Sequence, residues 1–402
     1  MKKQLTVISA ALLLLCAASA SGQESYVADS TAQRLVSEGY ANVRAFSNES
    51  FTVYTVENDR YKIQAEGIAR AARMIAAASS TTDEQGKVVK LIVTDRKVPK
   101  LTMTYDQESG RWTTTSRLDW SWSAVNRMKV QNSSFGKVDI TLYPQVALMN
   151  LIITQVYQSL WQISPSIDVS LWPGAKFSFQ VKFPLYNDGY GYLEDKIHPG
   201  MITLSQQFRD PWNLNVFGKV SLGFFNNNRY GAALDLKYIF PNERFSIDGQ
   251  AALLSMGYFY GFNFHYENTR SFNLRWNVAA NYYWPAAQTQ FTLRVQQFLM
   301  GDYGAKFEMI RHFRHCSIGF YAMKGLEGKT NGGFRFQIAL PPYRMKRHGY
   351  IPRITTSGQM GLVYNANNEQ YYYKEFRDEA SDNIMSLNAF NPYYVAGQLE
   401  KY

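Results

Sequence analysis

SFNLRWNVAANYY, residues 271–283, alternates apolar and polar residues along its length. Phe272, Leu274, Trp276, Val278, Ala280 and Tyr282 fall on one side, and Ser271, Asn273, Arg275, Asn277 and Asn281 on the other. Successive side chains of a strand point to opposite faces, so this stretch predicts a strand with one apolar and one wet face. The rhythm recurs, with turn residues between, from about Gly136 to Leu340. A soluble sandwich has such strands, and so does a barrel whose outside faces lipid.

Working outward, Phe177, Phe179, Val181 and Phe183 alternate with Ser178, Gln180 and Lys182. Leu214, Val216, Val220, Leu222 and Phe224 alternate with Asn215, Lys219 and Ser221, and Ala232 to Phe240 alternate around Asp235 and Lys237. Similar runs cover Phe245–Leu253, Phe291–Val295 and Phe334–Leu340. Asn226-Asn227-Asn228, Asn242-Glu243 and Gly301-Asp302 supply the turns. About 12–14 strands result, many near the length that crosses a bilayer at a tilt. This body spans residues 111–365. Ahead of it, residues 23–110 read as a small α/β module, with strands at 51–56, 88–94 and 101–105 and a helix over Ala65–Ala78. Behind it, residues 366–402 read as a polar, Tyr-rich tail, poorly ordered in part.

Lys2 and Lys3, an apolar stretch from Leu5 to Ala18 and the small residues Ala18-Ser19-Ala20 make residues 1–22 a secretory signal peptide. Cys16 follows Leu13–Leu15, without the small residue that lipidation wants just before it. Once the signal leaves, Cys316 is the one remaining cysteine, so packing and sheet pairing must hold the fold without an internal disulfide. No later segment has the continuous apolar run of a membrane helix. Aromatic residues make up 15% of the chain, a load that suits the interfacial girdles of a membrane barrel. The formal net charge of +10 points to an acidic partner, a charged polysaccharide or lipid headgroups, and an exported protein has no call for nucleic acid.

The residues give little support to an enzyme. His312-x-x-His315-Cys316 has metal-binding residue types, yet residues three apart in a strand face opposite ways. No G-x-S-x-G, H-E-x-x-H or phosphate-binding loop is present, no acids are paired, and nothing calls for a cofactor or metal. The polar strand faces carry more information. They offer Lys137, Lys182, Lys219, Lys237, Arg275, Arg294, Lys306 and Arg335 against Asp139, Asp235, Asp248, Glu267 and Glu308. Such a wall has the dispersed hydrogen-bonding groups and mild positive excess that draw an anionic glycan. Lys219, Lys237, Arg275, Arg294 and Arg335 are the glycan-path candidates.

Gln297-Phe298-Leu299-Met300-Gly301-Asp302-Tyr303-Gly304-Ala305, followed by Arg311-His312-Phe313 and the strand Ile318–Met323, resembles the signature stretch of the YjbH-like exopolysaccharide outer-membrane proteins. Val56–Tyr61, Gly67–Arg73 and Leu171-Trp172-Pro173-Gly174 are similar to further segments of that family, in the right order. Tyr303 stands where the family has Trp, and Ala69 where it has Arg. The resemblance implies an outer-membrane antiparallel β-barrel with its N-terminal module in the periplasm of a Gram-negative-type envelope. It implies a part in exopolysaccharide or capsule secretion, beside periplasmic and lipoprotein partners. It assigns no catalytic residues and leaves Gly301, Asp302 and Gly304 a structural turn. Two other classes stay open: a non-conducting scaffold for the secretion machinery, and a soluble periplasmic glycan-binding β protein.

Overall fold

Two sheets of opposite polarity hold all the named strands in a computed structural model that describes residues 30–79, 87–149, 158–266, 272–326, 330–365 and 375–402. The signal-peptide reading of residues 1–22 lies outside these residues, as do Glu267, Ser271 and residues 366–374 of the tail.

The first sheet belongs to the N-terminal module. Its elements are α1 (Ser30–Glu38), β1 (Ala41–Ser47), β2 (Phe51–Glu57), α2 (Gln64–Ser79), β3 (Val88–Asp95), β4 (Val98–Asp106), β5 (Arg111–Thr115) and α3 (Trp120–Val125). The five strands lie in chain order, with β2 and β3 parallel and the other pairs antiparallel. A parallel pair needs a crossover, which α2 provides. Alanine favours the helix and lets it lie close to the sheet. Ile68, Ala72 and Ile75 of α2 pack with Tyr54, Val56, Leu91, Val93 and Leu101 in one core cluster. Burying each isoleucine contributes roughly 1.5–3 kcal/mol. The sequence reading missed β1 and β5, and because β5 pairs with β4 the module's sheet runs past residue 110 to Thr115.

The second sheet is built from β6 (Val138–Met149), β7 (Gln158–Ser170), β8 (Ala175–Asn187), β9 (His198–Arg209), β10 (Val216–Phe225), β11 (Arg229–Ile239), β12 (Phe245–Tyr260), β13 (Asn263–Tyr266), β14 (Asn273–Trp284), β15 (Thr289–Gln297), β16 (Tyr303–His312), β17 (Cys316–Gly325), β18 (Thr330–Ala339), β19 (Arg353–Thr356) and β20 (Gln359–Asn365). It is 15-stranded, with β13 folded back on β12 alone. From β6 to β18 the other strands pair antiparallel in chain order. Beyond β18, β20 pairs antiparallel with it, whereas β19 pairs parallel with β6 at the opposite end of the path. Ser357, between β19 and β20, donates its N–H to Leu142 of β6 at 2.8 Å, and Cα atoms of β20 and β6 approach within 8 Å. Both ends of the strand path therefore lie side by side.

Leu214 and Asn215, read as strand from their alternation, sit instead in the turn before β10. Asn213 and Asn215 adopt left-handed φ values there, and the Asp210 carboxylate accepts from the N–H groups of Leu214 (2.6 Å) and Val216 (2.8 Å). Asparagine tolerates that backbone well, and local side-chain bonding outweighed the periodicity.

The two faces of this sheet differ as the alternation demands, but with the soluble order inverted. Leu274, Leu253 and Leu293 on one face are 53%, 51% and 56% exposed, with Ile247, Val278, Phe307 and Phe320 among their exposed neighbours. Ser164, Ser166, Ser221, Thr292, Gln296 and Gln337 on the other face are buried. No described helix is long and apolar enough to cross a membrane.

Connections at one end of the sheet are short turns, such as residues 171–174, 240–244 and 285–288. The opposite end carries the longer Asp188–Ile197 connection and the β13 flap. The module sits on the short-turn end. Gly174 N–H donates to the Arg96 carbonyl (2.7 Å), and Asn215 Nδ2 to Ser116 Oγ (2.9 Å). Ser116 N–H and the Thr115 hydroxyl both donate to the Glu243 carboxylate at 2.7 Å. A ring of ion pairs completes the seat: Arg347 bridges Asp59 (2.9 Å) and Asp139 (2.6 Å), and Arg353 bridges the same two carboxylates at 2.8 and 2.7 Å.

Candidate functional site

A cavity of about 850 Å³ opens along the polar face, with lining residues from β6 through β12, β14 through β18 and β20. All five cations singled out from the sequence line it: Lys219, Lys237, Arg275, Arg294 and Arg335. They reach it because each occupies the polar phase of its strand's alternation.

Their partners differ. Arg294 lies 3.8 Å from Asp248, a partner on the same wall. Arg275 donates to the Leu299 carbonyl at 3.2 and 3.3 Å, which places its guanidinium against the turn that leads into β16. The Lys237 side chain has no hydrogen bond or ion pair among the described residues. Lys219 and Arg335 meet groups that the strand pattern did not announce.

Those groups come from the segment after β20. Residues 375–391 cross the polar face from the end with long connections to the end that carries the module. At the first end, Asn227 Nδ2 donates to the Glu375 carbonyl (2.6 Å), and Phe376 packs on Phe225. The Glu375 carboxylate accepts from Lys306 Nζ (3.0 Å) and Gln296 Nε2 (2.8 Å). Asp378 accepts from Lys219 Nζ (2.9 Å) and the Ser221 hydroxyl. The Ala380 carbonyl accepts from Gln180 (3.0 Å) and Gln145 (3.3 Å). Asp382 pairs with Arg335, which also holds Glu308 of the wall. Gln337 then clasps the backbone, accepting from Ile384 N–H (2.8 Å) and donating to the Asp382 carbonyl (2.6 Å).

Beyond the polar face, Asn391 caps α4 (Pro392–Leu399), its side chain accepting from Tyr394 N–H at 3.1 Å. Asn followed by Pro is a helix-start signal. That pair, and the acids Glu375, Asp378, Glu379 and Asp382 set against basic strand faces, are the sequence signals that could have found this segment. Val395 of α4 is fully buried in the module's core cluster with Leu35 and Ile68. Residues 375–402 are thus held along their length.

The module also reaches the cavity. Lys100 of β4 lines it, with its Nζ 5.4 Å from the centre of the Phe217 ring. Burial pulls the Lys100 ammonium down to about 8, against the Asp95 carboxylate and with help from Arg96, Arg209 and Lys237.

The turn at Gly301-Asp302 shows why those residue types stand there. Phe298 N–H donates to the Asp302 carbonyl (2.8 Å), and Gly301 N–H to the Phe298 carbonyl (2.9 Å). Gly301 has φ +98°, where an L side chain is strained, and a Cβ on Gly304 would lie 2.4 Å from the Lys324 carbonyl oxygen. The two imidazoles of His312-x-x-His315 have separate surroundings. His312 lies between Ser317 Oγ and Asn388 Nδ2, each at 2.9 Å, and His315 lies against Tyr343. No cluster of three or more metal-ligating side chains occurs among the described residues.

Comparison with protein-family models and with curated proteins finds no match for this chain.

Proposed function

We propose that this chain is an outer-membrane β-barrel protein of exopolysaccharide or capsule secretion, of the YjbH-like kind its segments resemble, and that its polar interior lines or supports a glycan path. The observation that carries the reading is the inverted large sheet. Leucine, isoleucine and phenylalanine side chains stand exposed around its outer face while serine, threonine and glutamine are buried inside. In water such a surface is costly, since monomeric soluble proteins rarely expose apolar patches beyond a few hundred Å². In lipid it is the stable arrangement. The approach of β20, one end of the path, to β6, which lies next to the other end, supports closure into a barrel, which satisfies the strand edges that lipid cannot. Short turns at the module's end support a periplasmic module, because outer-membrane barrels keep short turns on that side.

The interior chemistry supports a carbohydrate. Its amides, hydroxyls and cations are dispersed, which suits the many hydroxyls of a glycan. Motion along the lumen is passive in this reading, with energy from machinery upstream. Outer-membrane lipids, periplasmic proteins and lipoproteins are the expected partners.

One observation favours the non-conducting scaffold as second reading. Residues 375–391 cross the polar face, and the module sits on the short-turn end of the sheet. Single-channel recording on the purified protein separates conduit from scaffold. The primary test is extraction: the protein should need detergent to leave membranes and migrate differently on gels before and after heating. Release without detergent would overturn the barrel reading in favour of a soluble glycan-binding protein. Reversing Lys219, Lys237, Arg275 and Arg294 together should lower surface polysaccharide at unchanged protein level. Lys237 and Arg275, which make no ion pair with the C-terminal segment, form the cleaner pair for this test. Unchanged export would count against a lumen role.

A further inference from the structure

We propose that residues 375–388 are an internal stand-in for an acidic polysaccharide, holding the lumen's anion sites until the carboxylates of that polymer displace them; this rests on the barrel reading above. Three sites on the wall share one design, a cation with a neutral donor beside it. Lys306 and Gln296 hold the Glu375 carboxylate, Lys219 and Ser221 hold Asp378, and Arg335 with Gln337 holds Asp382 and its backbone carbonyl. A uronate presents the same chemistry, a carboxylate with hydroxyls next to it.

The way the segment is held also supports exchange. It contributes no strand to the sheet and contains one short 3₁₀ turn, Ile384–Ser386, so side chains of the wall grip it and no backbone ladder does. Asn227, Gln145, Gln180 and Gln337 bond its carbonyls as they would bond sugar oxygens. The 850 Å³ cavity runs alongside it, leaving room for a second chain to enter before the first departs.

The cations make departure conditional. Lys306 has 8% of its side chain exposed, and Glu375 is its one ion-pair partner among the described residues. A cation in that position is costly to leave unpaired. The segment therefore leaves readily only when another anion arrives, which couples opening to the presence of acidic cargo.

Planar-bilayer recording tests this with the full chain. E375Q/D378N/D382N should raise mean conductance several-fold over the unaltered protein. Polygalacturonate should block the opened current, and neutral dextran of similar length should not. In a C316S background, S221C/D378C should be silent when oxidised and conduct when reduced. A triple variant that inserts normally yet conducts like the parent overturns the proposal, and so does block by dextran equal to block by polygalacturonate. If the triple variant fails to give the heat-sensitive gel band of the parent, the cysteine pair decides alone: equal current oxidised and reduced overturns the proposal. A parent chain that never requires detergent sinks the barrel reading itself, a distinct outcome.

Discussion

Glu57 ends β2 inside the seam between the module and the large sheet. Burial pushes its carboxyl up to about 7, with the Asp95 and Asp59 carboxylates adding and the Lys97 N–H and Asn42 amide opposing. An unfolded chain releases that proton near the ordinary value of 4.5, so between these two values the folded state binds more protons. Stability of the module should therefore fall as pH rises from about 5 to 8, by on the order of 2–3 kcal/mol. Glu57→Gln keeps the acceptor for Asn42 and Lys97 and should flatten that slope, as read from denaturation midpoints across the range. At this scale local geometry was readable in advance: a Gly-Asp-aromatic-Gly run implies a tight turn because few residues tolerate its backbone. The partner of Lys219 was not, because Asp378 lies 159 residues away and no periodicity links them.

Among elements, the strands obey their alternation, and substitution on the two faces should differ accordingly. Leu293→Arg places a guanidinium on the exposed apolar face of β15, and in the proposed barrel it should cost about 2–4 kcal/mol at mid-membrane depth. Gln296→Arg on the inner face of the same strand should leave assembly intact, both checked by the yield of the heat-sensitive gel form. In the module, Ile68→Ala removes a fully buried side chain from α2 and should cost roughly 2–5 kcal/mol in denaturant unfolding. Asn391→Ala removes the cap of α4 and should weaken its docking by about 1 kcal/mol, seen as faster limited proteolysis after residue 391. The long strands and α2 were legible because their period repeats many times over. Short elements such as β5 and α3 were not, for RWTTT and WSWSAV contain too few residues to establish any period. Arg347 and Arg353 carry no such signal, because Asp59 and Asp139, which answer them across the seam, lie more than 200 residues away.

Over the whole molecule, the chain packs in two opposite senses. Its module buries valine, isoleucine and leucine, while its large sheet buries serine, glutamine and lysine. The proposed orientation predicts a labelling pattern in a C316S background. A cysteine at Phe262, in the flap, should react with an impermeant maleimide on intact cells, and one at Asn213 only after the outer membrane is opened. Wall polarity could be read from sequence because it resides in each strand. What fills the wall could not, since it depends on where a segment with no period of its own is led by distant contacts.

Val395 sits in the module's core, although some 270 residues separate α4 from α3. The large sheet is in effect an insertion between the two pieces of one small domain. Synthesis delivers the module's first piece early and its last piece only after every wall strand has emerged. A half-finished wall thus leaves the module with an open hydrophobic slot where α4 belongs, a mark that chaperones and proteases can read. Completion of the small domain acts as a receipt for completion of the large one. Chains stopped before Asn391 should be degraded even with all their strands present, and supplying residues 389–402 as a separate peptide should protect them.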